Sequence, residues 1–254
     1  MPKLKKNKNS VIFHIITLFP EAFKSYLESS ILGRAMEKKI IRIKFYHPRK
    51  FAADKHKMVD DRPYAGGAGM VMKAEPVMKA LGKIFKEIGK AKTKVILLEV
   101  AGRQFNNASA IEWSKFSHLV LISGRYEGLD ARISKMIKDL CRGRKNISVS
   151  EVSVGPYIVM GGELPALIII DAVSRHLKGV LGKEQSLEEV RFKEIAKKLG
   201  KSVASAKSKT PSLPVYTRPE IIVYQGKEYK VPKVLTTGNH KKINEWKAKN
   251  MKFV

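Results

Sequence analysis

A chain of 254 residues with 44% hydrophobic residues is long enough for one large domain, or a main domain with a smaller companion, around a sizeable core. No apolar run reaches the roughly 18 residues that span a bilayer, and the single cysteine, Cys141, excludes an internal disulfide and a cysteine-rich metal site. Fifty Lys and Arg against 23 Asp and Glu leave a net charge of +27, a self-repelling excess that nucleic acid is the commonest partner to relieve.

Met1 to Ser10 is basic with almost nothing apolar, so residues 1–10 are expected to be a disordered tail. The tail also lacks the hydrophobic stretch and cleavage site of a signal peptide, which makes cytoplasmic residence the expectation. Val11 to Phe19 is a continuous apolar run closed by Pro20, as in a buried strand. Glu21 to Lys39 predicts one or two helices broken near Gly33, and Ile41 to Phe45 alternates like a half-buried strand. Pro48 to Met70 has no period and contains Gly66-Gly67-Ala68-Gly69, a loop. A helix over Glu75 to Lys90, a strand over Lys94 to Val100, a helix over Asn107 to Lys115 and a strand over His118 to Ile122 follow. This alternation predicts an α/β domain with a largely parallel sheet. Ala131 to Leu140 reads as helix, Ile147 to Val159 as short extended pieces around Gly155-Pro156, and Glu163 to Leu177 as an apolar helix. Residues 182–213 are Lys- and Ser-rich, a flexible linker holding a helix over Leu187 to Leu199. Residues 214–254 end in a basic helix from Lys241 to Lys252.

Three glycine-containing loops follow strands: Glu99 to Arg103, Ser123 to Gly128, and Val154 to Gly162. Ligands of α/β folds sit beyond the carboxyl ends of the strands, where such loops converge. None of the three matches the dinucleotide fingerprint or the P-loop pattern. Asp60-Asp61-Arg62-Pro63-Tyr64, leading into glycines, mixes acids, a base and an aromatic in a loop suited to ordering over a ligand.

Seven motifs then stand in order: Leu18-Phe19-Pro20-Glu21, Val59 to Gly67, Gly124-Arg125-Tyr126-Glu127-Gly128, Gly161 to Ala166, Asp171-Ala172-Val173-Ser174-Arg175, Tyr216 to Glu220, and Gly238-Asn239-His240. Together they closely resemble the bacterial tRNA (guanine-N1)-methyltransferases, the TrmD family of the SPOUT superfamily. The resemblance covers Ile12 to about Gly182 and resumes from Tyr216 to Trp246. It implies a trefoil-knotted, mostly parallel α/β domain over residues 11–181, an exception to the rule against knots. It further implies a small helical C-terminal domain that grips tRNA, and a homodimer whose active site lies at the subunit interface. S-adenosylmethionine is the implied cofactor. The implied contacts are Leu97, Leu98, Glu99 and Gly102; Gly124 and Glu127; and Val154, Gly155, Pro156, Tyr157, Ile158, Val159, Gly161, Gly162 and Pro165. Asp60, Asp61, Arg62, Tyr64, Arg218 and His240 are the implied RNA contacts.

The implied reaction moves a methyl group to N1 of the guanosine 3′-adjacent to the anticodon. N1 carries a proton at neutral pH and needs a general base, while negative charge builds on O6. Arg175 occupies the position of the family arginine near the target base. The family's general-base aspartate falls at Val190 in the run Ser186 to Phe192, and valine takes no proton. Either Glu189 or Glu188 substitutes, or the chain is a catalytically impaired tRNA-binding protein on the same fold. Pro156 and the basic segment Cys141 to Lys145 are further departures. No metal site is expected, and the sequence leaves undecided whether Mg2+ assists the proton removal.

Overall fold

The computed structural model describes residues 10–182, 187–198 and 211–253; the expected tail over residues 1–9 lies outside them. The chain divides into two compact units, with the boundary between Leu181 and Gly182. In the first, β1 (Val11–Ile16) leads through a 3₁₀ turn at Pro20–Phe23 into α1 (Lys24–Leu27), α2 (Ser30–Glu37) and β2 (Ile41–Tyr46). After a second 3₁₀ turn come the short strands β3 (Asp60–Asp61) and β4 (Val71–Met72), α3 (Ala74–Ile88), β5 (Thr93–Gln104) and α4 (Asn107–Trp113). The unit closes with β6 (His118–Ile122), α5 (Arg132–Cys141), β7 (Ile147–Ser153) and α6 (Glu163–Ser174). Five strands form one sheet in the order β2-β1-β6-β5-β7, and every pairing in it is parallel.

Successive side chains of a strand point to opposite faces, so each strand feeds two cores. Phe13 and Ile15 of β1, Ile96 and Leu98 of β5, and Leu119 and Leu121 of β6 pack with α1, α2, α4 and α6. Ile16, Val95, Leu97, Val120 and Ile122 pack on the other face with α3 and α5. The helices supply matching stripes: α3 buries Val77, Ala80, Leu81, Ile84, Phe85 and Ile88, the i, i+3, i+4 spacing of an amphipathic helix. It stops at Gly89, whose φ of 58° ends the helical path. Residues such as Ile96 and Leu119 are fully buried, and truncating one to alanine costs about 2–5 kcal/mol.

The helix break expected near Gly33 lies earlier, at Glu28 and Ser29. Gly33 continues the helix by donating its N–H to the Ser29 carbonyl. A Cβ at Gly33 would stand 2.5 Å from the Glu28 oxygen, so glycine lets α2 fold tightly over the end of α1. β5 runs on through the expected loop at Glu99 to Arg103, with a register shift against β7 between Leu98 and Arg103.

The sheet face toward α3 also holds a polar chain. His14, 1% exposed, bonds Tyr46 Oη through Nδ1 at 3.0 Å and His118 Nδ1 through Nε2 at 2.9 Å. Tyr46 Oη donates to Glu87 Oε2 at 2.8 Å, and Lys44 Nζ donates to the same oxygen at 2.9 Å. With the tyrosine proton committed to Glu87, His14 Nδ1 is the donor to Tyr46 and Nε2 accepts from His118, a neutral imidazole. Burial, with His118 and Lys44 adding to it, holds the His14 pKa down to about 3.

The second unit comprises α7 (Glu188–Lys198), β8 (Pro211–Ser212), β9 (Ile221–Tyr224), β10 (Lys227–Lys230), α8 (His240–Lys249) and β11 (Lys252–Phe253). α7 packs on α8 and β8, and β11 pairs with β8. β9 and β10 form an antiparallel hairpin that the sequence reading passed over. Among the described residues, no helix is long and apolar enough to cross a membrane.

Candidate active site

A parallel sheet brings the carboxyl ends of its strands to one edge, and there the loops after β1, β6 and β7 meet. Ser123 N donates to the Ile16 carbonyl at 3.0 Å, and Gly162 N to the Gly124 carbonyl at 2.9 Å. Gly162 is required by this approach, because a Cβ there would lie 2.6 Å from Ser123 Cα. The loops enclose a pocket of about 300 Å³. Its wall is Leu98, Glu99 and Val100; Gly124 to Leu129; Val152 to Val154; and Tyr157 to Gly162 with Pro165.

The structure thus gathers Leu98, Glu99, Gly124, Glu127, Val154, Tyr157, Ile158, Val159, Gly161, Gly162 and Pro165 from the expected cofactor set. It leaves four others out of the wall. Leu97 alternates to the opposite face and is 2% exposed in the α3-side core. Gly102 lies against the Val152 backbone of β7, where a Cβ would collide. Gly155 is buried beneath the Tyr157 ring, and Pro156 is exposed. Two carboxylates, Glu99 and Glu127, face the pocket; burial, then the Glu151 charge, raises the Glu99 pKa.

Beneath the pocket lies a group that sequence reasoning missed. Glu163, 4% exposed at the first turn of α6, accepts from Thr17 Oγ1 at 2.7 Å and pairs with Arg125 Nε at 2.8 Å. The Arg125 guanidinium also stacks on Phe19, 4.4 Å from the ring centroid. A carboxylate is favoured at a helix N-terminus, and the Glu163 carboxylate is buried while the Arg125 side chain keeps 27% of its surface exposed. The pair therefore clamps the β6 loop to α6. Its signal was in the sequence, since Arg125 and Glu163 stand inside two of the seven motifs.

The Asp60 loop reaches the same neighbourhood by its return arm: Glu127 N donates to the Met70 carbonyl at 2.9 Å and Met72 N to the Gly128 carbonyl at 3.0 Å. Asp60 is half-buried on β3. Asp61 pairs with Lys73 at 3.1 Å, and the Arg62 N–H followed by Lys73 lowers its pKa. Asp61, Arg62 and Tyr64 line a separate open cavity of about 1360 Å³ with Lys73, Met78 and Arg132. Arg175 stands at the far end of α6 from the pocket, where its N–H donates to the Asp171 carbonyl. Twelve helical residues at 1.5 Å each place it about 18 Å along the axis, so one chain does not bring Arg175 to its own pocket.

In the second unit, Glu188 forms an ion pair with Arg191 at 2.8 Å, and Val190 is half-buried. The Glu189 side chain and Ser186 lie outside what the structure describes. Glu188, Arg191, Tyr216, Arg218, Trp246 and Lys247 are among the residues lining a cavity of about 1400 Å³. Tyr216 meets Trp246 edge to face at 6.1 Å. His240 is exposed at the start of α8, which Asn239 caps by accepting from Lys242 N at 3.1 Å.

A five-stranded all-parallel sheet, flanked by helices and with glycine loops around a small pocket at its strand ends, defines an α/β protein with its candidate site beyond the carboxyl edge of the sheet. The chain belongs to the family described as tRNA (guanine-1)-methyltransferase TrmD, whose model matches residues 11–253. It is 44% identical to the tRNA (guanine-N(1)-)-methyltransferase of Carboxydothermus hydrogenoformans, over 92% of this chain and 80% of that one. The proteins so named from Clostridioides difficile and Pasteurella multocida are 42% and 39% identical over the same 92%, covering 90% and 84% of their own lengths.

Proposed function

We propose that the protein methylates N1 of the guanosine 3′-adjacent to the anticodon of tRNA, using S-adenosylmethionine, as a cytoplasmic homodimer on a trefoil-knotted domain. The observation that carries this reading is the pocket itself, to which two of the seven motifs contribute, in a chain that matches the family over nearly its whole length. That match disfavours the impaired RNA-binding alternative.

The pocket residues fit S-adenosylmethionine. Its volume is at the small end of ligand pockets. Glu99 and Glu127 suit a cosubstrate carrying a sulfonium and an ammonium. Val154, Ile158, Val159 and Pro165 offer apolar walls for the adenine, and Gly161 and Gly162 let backbone approach. When bound, S-adenosylmethionine supplies a methyl group activated by its sulfonium. A carboxylate of Glu189 or Glu188 takes the guanine N1 proton, the role Val190 cannot fill, so that N1 forms the new bond to carbon with its lone pair. The Arg175 guanidinium stabilises the charge developing on O6. Asp60, Asp61, Arg62, Tyr64, Arg218 and His240 hold the RNA.

The distance of Arg175 from its own pocket supports a site completed by a second copy. So does α6, whose Leu164 and Ile168 are exposed on one face, beside the α1 residue Tyr26 that hydrogen-bonds Asp171 at 2.8 Å.

The test is methyl transfer to tRNA guanine N1 by mixed protomers. Chains carrying Arg175→Ala and chains carrying Glu127→Ala are each expected to be inactive alone. Co-expressed, they should recover about a quarter of wild-type activity, since random pairing leaves that share of composite sites intact. An inactive wild type would overturn the activity, and no recovery would overturn the shared site.

A further inference from the structure

The β9–β10 hairpin is built in a way that nothing in the pocket or the cavities accounts for. Its turn is Gln225-Gly226, with φ of 49° and 75°, the two left-handed residues of a type I′ turn. The pairing continues one step beyond the strands, where Val231 N donates to the Glu220 carbonyl at 2.9 Å. Every residue of both strands is exposed, including Ile221, Ile222, Val223, Tyr224 and Tyr229. Among the described residues, β9 and β10 pair only with each other. An isolated two-stranded hairpin is marginal in water, and contiguous exposed apolar side chains mark an interaction surface.

The register sorts these side chains into two unlike faces. Tyr224 lies opposite Lys227 and Ile222 opposite Tyr229, so these four share one face. The Lys227 ammonium stands 5.6 Å from the centre of the Tyr229 ring. The other face holds Ile221 and Val223 with an ion pair between Lys230 and Glu228 at 2.7 Å. One face therefore carries two rings and Ile222 with a cation beside them.

We infer that the Tyr224–Tyr229 face of this hairpin is a stacking platform for unpaired bases of the tRNA substrate, with Lys227 placed for the adjoining phosphate. The inference rests on the tRNA methyltransferase reading and adds to it an RNA-contact surface. Tyrosine rings stack on any base whatever its identity, and a neighbouring cation answers the backbone charge. Charge complementarity points to RNA: the chain's net charge of +27 attracts a polyanion, and on the hairpin itself Lys227 and Lys230 stand against one acid, Glu228. The charged edge of β10, with Lys227, Glu228 and Lys230, opposes strand-to-strand pairing.

The experiment measures affinity of the full-length protein for an unmodified tRNA transcript. It compares the wild type with a Tyr224→Ala/Tyr229→Ala double variant and a Tyr224→Phe/Tyr229→Phe double variant. S-adenosylmethionine binding checks the fold, and sedimentation velocity reads the oligomeric state. The alanine pair should bind tRNA at least about tenfold more weakly, the loss falling on KM for tRNA more than on kcat, while the phenylalanine pair retains wild-type affinity. Alanine variants that bind as tightly as a wild type that methylates tRNA would overturn the platform and leave the enzymatic reading standing. So would a phenylalanine pair as weak as the alanine pair, or an altered oligomeric state with tRNA affinity unchanged, which would make the face a protein contact. A wild type that neither binds nor methylates tRNA would bring down both.

Discussion

His14 is the residue whose chemistry is most constrained by its place. It sits inside the central sheet with His118, Tyr46, Glu87 and Lys44 around it, and its folded pKa of about 3 lies below the ordinary 6.5. Between those values the unfolded chain binds a proton at this position that the folded chain refuses. The contribution to stability is therefore intact above about pH 6.5 and lost as the pH falls toward 3, with a slope of up to about 1.4 kcal/mol per pH unit. Urea unfolding between pH 7 and 4.5 should be less pH-dependent in His14→Gln than in the wild type; equal slopes would assign the acid sensitivity elsewhere. A single His in an apolar strand gave no sign of this network, because its partners come from β2, β6 and α3. Glu163 was hidden for the same reason. Its motif was legible, but its burial against Thr17 and Arg125 arises only when β1, β6 and α6 converge.

At the scale of elements, periodicity carried most of the reading. The stripe of α3 and the apolar run of β6 are where residue spacing puts them, and the loops expected to surround a ligand do converge. The sequence reading went astray where backbone packing outweighs side-chain pattern. Gly33 looked like a helix breaker and is a close-contact residue; Gly102 looked like a turn and is a strand residue pressed on β7. The hairpin escaped notice because the run Ile221 to Tyr224 does not alternate, both of its faces being exposed. The contrast between glycines yields a paired prediction. Gly102→Ala should lower stability by about 1–3 kcal/mol through overpacking and weaken S-adenosylmethionine binding, since β5 leads into the pocket wall. Gly82→Ala, inside α3 with nothing near its Cβ position, should stabilise by about 0.5–1 kcal/mol. Thermal melts of both variants check the signs; a neutral Gly102→Ala would contradict the close approach of β5 and β7.

For the molecule as a whole, the charge spoke for a polyanion from the outset, and order among motifs spoke for the family. What the sequence did not disclose is that Arg175 and the pocket occupy opposite ends of α6. That separation follows from the helix's length, and it is the reason the proposed site takes Arg175 from a second copy. Catalysis at the guanosine beside the anticodon is tested most directly with two transcripts of one tRNA, differing only in whether guanosine or adenosine follows the anticodon. Purified wild-type protein and methyl-labelled S-adenosylmethionine should place label on the first as 1-methylguanosine and leave the second unlabelled. Equal labelling of both, or label recovered in any other nucleoside, would contradict the reading.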